Sequence, residues 1–208
     1  MSLNTNTWNR IRYTLYLPVY DLIAGKVFKK YRKHSVLLLQ AAPDDKILLI
    51  GAGTGLDLEF LTNYTHLTAI DITPGMIGKL KERAEKLHLQ VDARVMDGQK
   101  LLFDDNSFDA VLLHLILAVI PDPVACIKEV ERILRPGGSV MVFDKFLADG
   151  QQPSIFRRLA NKVASTLFSD INRSIRDIVS HTPLQVEFNE PAALNGTFRL
   201  IKLKKPVS

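Results

Sequence analysis

The architecture of this chain follows from the segment Ile47-Leu48-Leu49-Ile50-Gly51-Ala52-Gly53-Thr54-Gly55. An apolar strand leads directly into three glycines at alternate positions, and residues 55–62 then have the pattern of a helix. Strand, glycine turn and helix bring backbone close to a nucleotide, because glycine has no Cβ to block the approach. A dinucleotide site has the spacing G-x-G-x-x-G, but position 56 here is Leu56. The observed spacing, G-x-G-x-G, therefore disfavours a site of the NAD type.

A carboxylate follows this turn at the distance that a nucleotide site requires. Asp71 ends the short β-rich segment 66–71, sixteen residues after Gly55. An acid at the tip of the second strand of a doubly wound sheet can accept hydrogen bonds from both hydroxyls of a ribose. The alternative is a tight turn followed by a capping aspartate. The coincidence of strand, glycine triplet and acid favours the nucleotide site.

Length and composition are typical of one globular domain. The chain has 208 residues, of which 47% are hydrophobic and 8% aromatic. The longest apolar run, residues 111–120, is interrupted by His114 and is too short to span a bilayer. The N-terminus lacks the basic-then-apolar pattern of a signal peptide. The single cysteine, Cys126, excludes an internal disulfide and is expected to fill the core, so we expect a cytoplasmic protein.

Charge is distributed unevenly along the chain. Residues 1–40 hold seven Lys and Arg against one acid, whereas residues 41–143 hold ten basic and fifteen acidic residues. Among the aromatic residues of the basic N-terminal stretch are Tyr13, Tyr16, Tyr20, Phe28 and Tyr31. Aromatic and basic side chains together suit a membrane interface. They suit equally a helix that packs on the sheet with its lysines in water, and the sequence leaves both interpretations open.

Helical and extended patterns alternate through most of the chain. We predict one or two helices over 8–34, with a break at Pro18, and a helical segment over 35–41. Five strands are predicted at 46–51, 66–71, 90–95, 108–113 and 139–144, with helices at 55–62, 74–87 and 122–135. Helices at 153–168 and 169–180 then precede two antiparallel strands at 184–188 and 197–204.

This order predicts the fold class. Strands that alternate with helices imply parallel pairing with right-handed crossovers. We therefore predict an α/β protein, a three-layer α/β/α sandwich whose doubly wound, mostly parallel seven-stranded sheet ends in an antiparallel C-terminal hairpin. We expect a single domain with a basic helical cap at 1–40, a cofactor-binding half at 41–145, and substrate-side helices with the final strand pair at 146–208.

Residues 45–145 resemble the class I S-adenosylmethionine-dependent methyltransferases, which have a Rossmann-like fold. The shared motifs are the glycine turn, the strand that ends in Asp71, and three short segments: 95–98 (Val-Met-Asp-Gly), 107–111 (Ser-Phe-Asp-Ala-Val) and 134–138 (Leu-Arg-Pro-Gly-Gly). The resemblance implies S-adenosyl-L-methionine as the cofactor and the presence of enzyme activity. No metal ligand set and no nucleic-acid partner are expected.

The resemblance also assigns roles to individual residues. The backbone of Gly51, Gly53 and Gly55 would approach the methionine end of the cofactor. Asp71 would bind the ribose hydroxyls, and Asp97 would accept a hydrogen bond from the adenine amino group. Met76 and Met96 are apolar candidates beside the adenine ring.

One position departs from the family pattern. The family usually has an acid two residues before the first glycine, where it helps to hold the methionine moiety; this chain has Leu49. The departure predicts other partners for the cofactor's amino group or a reduced affinity. It also keeps open the interpretation of a catalytically silent cofactor-binding protein.

A closer likeness is to bacterial phosphatidylethanolamine N-methyltransferases, carried by the segments 19–23, 118–123 and 197–204. It implies methylation of a phospholipid head group by a protein at the inner membrane face. The methyltransferases of ubiquinone and menaquinone biosynthesis share much of the same pattern, so a quinone precursor or another small molecule is the alternative acceptor.

Two residues are candidates for a direct part in the reaction. Methyl transfer is an in-line displacement at a sulfonium carbon, so alignment and exclusion of water are the protein's main tasks. His114, at the end of the fourth strand, is a candidate base or positioning group, and a histidine satisfied by local packing is an equal alternative. Tyr20 could close over the site or could anchor its helix on the sheet. Asp144 and Lys145, at the tip of the fifth strand, could also contact the substrate.

Overall fold

A computed structural model describes residues 25–147 and 173–207 of the chain. The predicted helix at 153–168 and the first part of the predicted N-terminal helices lie outside the described residues, as does Tyr20. Residues 169–172 of the helix predicted at 169–180 also lie outside the described residues.

Four helices and seven strands are described. The helices are α1 (residues 25–39), α2 (Pro74–Lys86), α3 (Pro123–Ile133) and α4 (Ile175–Val179). The strands are β1 (Lys46–Ile50), β2 (His66–Asp71), β3 (Val91–Val95), β4 (Phe108–His114), β5 (Leu134–Lys145), β6 (Gln185–Pro191) and β7 (Phe198–Lys204).

The strands form a single sheet with the order β3-β2-β1-β4-β5-β7-β6. Strands β1 to β5 pair in parallel, and β7 pairs antiparallel with both β5 and β6. The predicted seven-stranded sheet with an antiparallel C-terminal hairpin is therefore confirmed. Chain order reverses between β1 and β4, and a sheet of this kind binds ligands beyond the carboxyl ends of the strands at that point.

The three layers follow from strands that are apolar on both faces. Residues 47–50 of β1 are at most 2% exposed. Ile47 and Leu49 lie in a core cluster with residues of α1 and α2, whereas Leu48 and Ile50 lie in a second cluster with residues of α3 and α4. A parallel strand covered on both faces requires such a continuous apolar run.

The helix predicted at 55–62 is wrong. The structure has a series of turns there, with hydrogen bonds from Leu58 N–H to the carbonyl of Gly55, from Leu61 to Leu58 and from Tyr64 to Leu61, all of 3.0–3.1 Å. Only Leu58–Phe60 form a short 3₁₀ helix. The apolar spacing was correct because Leu58 and Leu61 are fully buried. Each bond nevertheless spans three residues instead of four, which is the 3₁₀ pattern.

Several predicted boundaries also differ, among them the end of the strand predicted at 184–188, which extends to Pro191. Residues 25–39 form one continuous helix, so the predicted division at position 35 is absent, and that helix ends before Gln40, which has a φ of 55°. Strand β5 begins at Leu134, five residues earlier than predicted. The register of β4 and β5 shifts after Phe108, so residues 135–138 form an irregular extension in which Gly137, with a φ of 76°, bonds to Lys205.

Candidate active site

A cavity lies at the carboxyl ends of β1, β2 and β4, where the chain order reverses. Its wall is mainly apolar, with contributions from Ile50, Ile72, Met76, Met96, Leu115, Ile116, Val119, Ile120 and Pro121. Two carboxylates, Asp71 and Asp97, lie in this otherwise apolar wall.

The glycine turn forms one side of the cavity. Gly51 has a φ of 67°, and a Cβ at this position would lie 2.8 Å from the side chain of Ile116. Gly53 has a φ of 56°, and a Cβ there would meet no protein atom within 4 Å. Bare backbone at Gly53 therefore borders open space, as close approach of a ligand requires. Gly55 is buried behind the turn, where a Cβ would lie 2.9 Å from Leu80.

Asp71 joins the end of β2 to the glycine turn. Its Oδ2 accepts a hydrogen bond from the N–H of Gly53 at 3.0 Å, and its Oδ1 accepts one from the N–H of Thr73 at 2.9 Å. Desolvation raises the pKa of the Asp71 carboxyl, and these hydrogen bonds from Thr73 and Gly53 oppose the shift. An ionised carboxylate has about four acceptor positions, so two N–H donors do not exhaust its capacity.

Asp97 is oriented by a residue that the sequence analysis missed. The Gln99 backbone N–H donates to Asp97 Oδ1 at 3.0 Å, and the Gln99 Nε2 donates to the same oxygen at 2.9 Å. The other end of the Gln99 amide accepts a hydrogen bond from the Asp122 N–H, just before α3. A polar residue two positions after the aspartate was the only sequence signal for this role.

The floor of the cavity beside Asp97 is closely packed. A Cβ at Gly98 would lie 2.8 Å from Ile50 and 3.7 Å from the Sγ of Cys126. Cys126 is fully buried, and burial raises the pKa of its thiol to about 12, so it is a core residue without nucleophilic character.

The loop between β4 and α3 forms the opposite wall of the cavity, and hydrogen bonds to the side chains of Asp144 and Arg173 hold it in place. Asp144 Oδ2 accepts a hydrogen bond from the Ala118 N–H at 2.9 Å, and Arg173 donates to the carbonyls of Leu117 and Ile120. Asp144 is fully buried and burial raises the pKa of its carboxyl. Asp144 therefore supports the loop and does not line the cavity. Its neighbour Lys145 is half-buried, and burial lowers the pKa of its ammonium group.

His114 does not line the cavity. It is buried, with Nδ1 2.9 Å from Asp57 Oδ1 and Nε2 2.8 Å from the hydroxyl of Ser35. Arg32 Nη1 donates to the other oxygen of Asp57 at 2.8 Å. Since both ring nitrogens have protein partners, the structure favours a positioning role for His114 over that of a base acting on substrate.

Asp57 carries the charge of this buried network. Burial opposes its ionisation, but Arg32 and His114 together hold the pKa of the Asp57 carboxyl well below its usual range. No sequence pattern predicts a role for Arg32, Ser35 or Asp57. The three contacts of the network join residues that are 25, 57 and 79 positions apart, and no spacing rule connects them.

Of the predicted site residues, the structure brings Gly51, Gly53, Asp71 and Asp97 together around the cavity. Gly55 and His114 lie behind its wall. Leu49, the residue at the usual place of an acid, is 1% exposed and belongs to the core cluster on the α1 side of the sheet. Within residues 25–147 and 173–207, no three His, Cys, Asp or Glu side chains are placed to hold a metal ion.

Comparison with known proteins gives one family match. The model of the methyltransferase domain family matches residues 48–142, which begin within β1, include β2 to β4 and end within β5. The matched segment contains the whole glycine turn, Asp71 and Asp97.

Relatives with curated names fall into two groups. The phosphatidylethanolamine N-methyltransferase of Cereibacter sphaeroides is 26% identical over 189 residues, which are 90% of this chain and 93% of the relative. The demethylmenaquinone methyltransferase of Corynebacterium glutamicum strain R is 35% identical over 113 residues, which are 54% of this chain and 46% of the relative.

Solved structures with the same fold include the cyclase SpnF. Its TM-score to this protein is 0.83, with 15% identity and 98% of each chain covered. A likeness at this identity concerns the fold, and SpnF shows that the same architecture is used by a protein named for a different reaction.

Proposed function

We propose that this chain is an S-adenosylmethionine-dependent methyltransferase that methylates the amino group of a phospholipid head group at an anionic membrane surface. The observation that carries this proposal is the likeness to a phosphatidylethanolamine N-methyltransferase over nine-tenths of the chain. That alignment extends beyond the cofactor half, so it includes segments that can select the methyl acceptor.

The residues around the cavity fit the cofactor. Open space at Gly53 permits backbone contact, and Asp71 has acceptor capacity for a ribose diol. Asp97 suits the adenine amino group, and the methionines Met76 and Met96 provide apolar contact for the ring. When bound, S-adenosylmethionine supplies a methyl group that is already activated on a sulfonium centre. This chain's residues then have to hold, align and shield the reacting groups.

The acceptor amine must be neutral when it attacks. A primary ammonium group titrates near ~10, like lysine, so it has to lose a proton before or during alignment. His114 is enclosed by Asp57 and Ser35, and we assign it no proton transfer with substrate. The proton therefore passes to water at the mouth of the site.

Helix α1 supports the membrane part of the proposal. Its outer face exposes Lys26, Lys30, Lys33 and two apolar side chains, Val27 at 50% and Leu37 at 65%. Each basic residue near an anionic membrane surface contributes about 1 kcal/mol. Within the described residues, no helix has the length and apolarity needed to cross a membrane.

A screen of methyl acceptors tests the proposal. The protein is incubated with methyl-labelled S-adenosylmethionine and, separately, with phosphatidylethanolamine vesicles, a demethylmenaquinone analogue and small primary amines. We expect label in the phospholipid fraction. Label in the quinone fraction alone would refute the phospholipid proposal and leave the methyltransferase assignment intact.

Quinone-precursor methylation is the second candidate, because the demethylmenaquinone methyltransferases have the higher identity. Their likeness is confined to about half of this chain, however, and this chain aligns with less than half of that relative's length. A shared cofactor half explains the identity without a shared acceptor. The same screen separates the two candidates.

A further inference from the structure

The hydrogen bond between Asp57 and His114 lies behind the cofactor cavity. It connects two segments that form the cavity wall, the glycine turn and the β4–α3 loop. Asp57 follows the glycine turn by two residues, and the turn is closed by hydrogen bonds from Gly55 to Ala52 and from Leu58 to Gly55. His114 ends β4 and directly precedes Leu115 and Ile116, which line the cavity. The 2.9 Å contact between the two side chains therefore fixes the separation of the turn and the β4–α3 loop.

Helix α1 completes this attachment with two more buried side chains. Arg32 donates to Asp57, and the Ser35 hydroxyl contacts His114. Arg32, Ser35, Asp57 and His114 are each at most 5% exposed. A charged group so deeply buried is costly unless every partner is present, which indicates that α1, the turn and β4 hold their positions together.

The arrangement of Ser35, His114 and Asp57 has the connectivity of a hydrolase triad. Ser35 is 0% exposed and lies on a helix, so no substrate carbonyl can reach its hydroxyl in this structure. A nucleophile must be accessible to its substrate. The network is therefore internal to the protein and acts on the site through the segments that it connects.

The network matters for the cofactor site because this chain has Leu49 where an acid is usual, two residues before the first glycine. Leu49 is buried in an apolar core cluster that also contains Leu58, Leu112 and Phe143, so β1 itself places no acid behind the turn. Among residues 25–147 and 173–207, Asp57 and Asp144 are the buried acids, and Asp57 is the one attached to the glycine turn. The negative charge behind the glycine turn therefore comes from Asp57, which follows the turn, and not from strand β1, which precedes it.

We propose that Asp57, held by Arg32 and His114, is the positioning residue that sets the glycine turn for the methionine end of the cofactor, in place of an acid at position 49. The role is indirect, because Asp57 does not line the cavity. It requires that the hydrogen bond between residues 57 and 114 be kept, whichever side chains provide it.

Calorimetric titration with S-adenosylhomocysteine tests this proposal without any methyl acceptor. We expect Asp57→Asn to weaken binding at least tenfold. The matched control is Glu59→Gln, which also replaces a carboxylate with an amide, two residues after Asp57. It breaks an exposed ion pair with Lys29, which lies on α1, as Arg32 does. We expect the control to bind within twofold of the unmodified protein. Asp57→Asn binding as tightly as Glu59→Gln would overturn the proposal.

A second pair of variants separates positioning from a general loss of structure. Asn at position 114 can place an amide donor near the position of Nδ1, whereas Leu cannot. We expect His114→Asn to bind within threefold of the unmodified protein and His114→Leu at least tenfold more weakly, with both variants showing a cooperative melt. Equal affinities for the two variants would overturn the proposal. Failure of the unmodified protein to bind S-adenosylhomocysteine would instead refute the cofactor assignment on which the proposed function rests.

Discussion

Asp71 Oδ2 accepts a hydrogen bond from the backbone N–H of Gly53 at 3.0 Å, which connects the tip of β2 to the middle of the glycine turn. The contact aligns the two features that the sequence marks for a nucleoside, an acid and a bare stretch of backbone. Because one carboxylate both shapes the turn and faces the cavity, changes at either residue should affect the cofactor strongly.

Replacing Asp71 with asparagine should weaken cofactor binding by about two orders of magnitude. Asparagine has one acceptor oxygen, so it cannot satisfy Gly53, Thr73 and a ribose diol together, and each lost or unsatisfied bond costs about 1–3 kcal/mol. Calorimetric titration with S-adenosylhomocysteine measures the effect. Asp92→Asn on neighbouring β3, an exposed acid paired with Arg94, is the control and should leave affinity unchanged.

Replacing Gly53 with alanine should lower both affinity and stability. Alanine at a φ of 56° is strained by about 1–2 kcal/mol, and its Cβ projects into open space beside the cavity. Gly78→Ala is the matched control, because Gly78 lies within α2 with an ordinary φ and no atom near its added Cβ. The control should raise the free energy of unfolding by about 0.5–1 kcal/mol. Urea denaturation compares the two, and equal effects would contradict the assigned conformation of Gly53.

The stability conferred by Asp57 should depend on pH. Its pKa in the folded protein lies well below its usual range. The unfolded chain therefore binds more protons, and the stabilisation is present above the unfolded pKa of about 4 and is lost as pH falls toward the folded value. We expect Asp57→Asn to lower the free energy of unfolding by about 3–5 kcal/mol at pH 7.

This difference should shrink steadily when urea denaturation is repeated from pH 5 down to pH 3. Glu59→Gln, whose ion pair is exposed, should show little loss at any pH. A difference between the unmodified protein and Asp57→Asn that stays constant over this range would show that Asp57 is not ionised in the folded state.

Introducing glutamate at position 49 should not restore a family-like site. Leu49 is 1% exposed in an apolar cluster, so a carboxylate there would be buried without a partner and should destabilise the fold by about 3 kcal/mol or more. Leu49→Met conserves volume and should cost less than about 1.5 kcal/mol. Thermal unfolding of the two variants provides the comparison. A Leu49→Glu protein as stable as Leu49→Met would mean that position 49 has access to water or to a polar partner.

Reversing the charge of α1 should reduce membrane binding. At about 1 kcal/mol for each residue, a variant with Lys26, Lys30 and Lys33 changed to Glu should bind anionic vesicles at least a hundredfold more weakly in sedimentation. Binding of the unmodified protein should weaken as salt is raised. A variant with Lys79, Lys81 and Lys86 of α2 changed to Glu has the same net charge, and it should retain most of its binding. Equal losses would indicate a response to net charge alone.

The sequence predicted those parts of the structure that depend on local pattern. The continuous apolar run of β1, the alternate glycines and the distance to Asp71 each reflect a constraint that acts within a few residues or within one β-turn-β unit. Together they placed Gly51, Gly53, Asp71 and Asp97 at the same end of the sheet. The antiparallel pair β6 and β7 was predicted for the same reason, since alternation shows in each strand separately.

The features that escaped prediction depend on contacts between distant segments. Apolar spacing at 55–62 fits an α-helix and a series of 3₁₀ turns equally well. In the structure, Asp57 of this segment bonds to Arg32 and His114, which are distant from it in sequence. His114 was identified as important from its place at the end of β4. Its buried contact with Ser35, 79 residues earlier in the chain, indicates a positioning role. The polar partners of a buried histidine leave no trace in the spacing of its own strand.

Helix α1 exposes its lysines to solvent and buries Arg32 and Ser35. Binding of a membrane to the exposed face is therefore thermodynamically linked to the buried network. A membrane surface that binds α1 only when this helix is packed on the sheet would favour the packed state. It would thereby raise the affinity of the protein for the cofactor. The cofactor would then raise the affinity for that surface by the same factor, because such coupling is reciprocal. Vesicle binding measured with and without S-adenosylhomocysteine would thus report on the buried network from outside the protein.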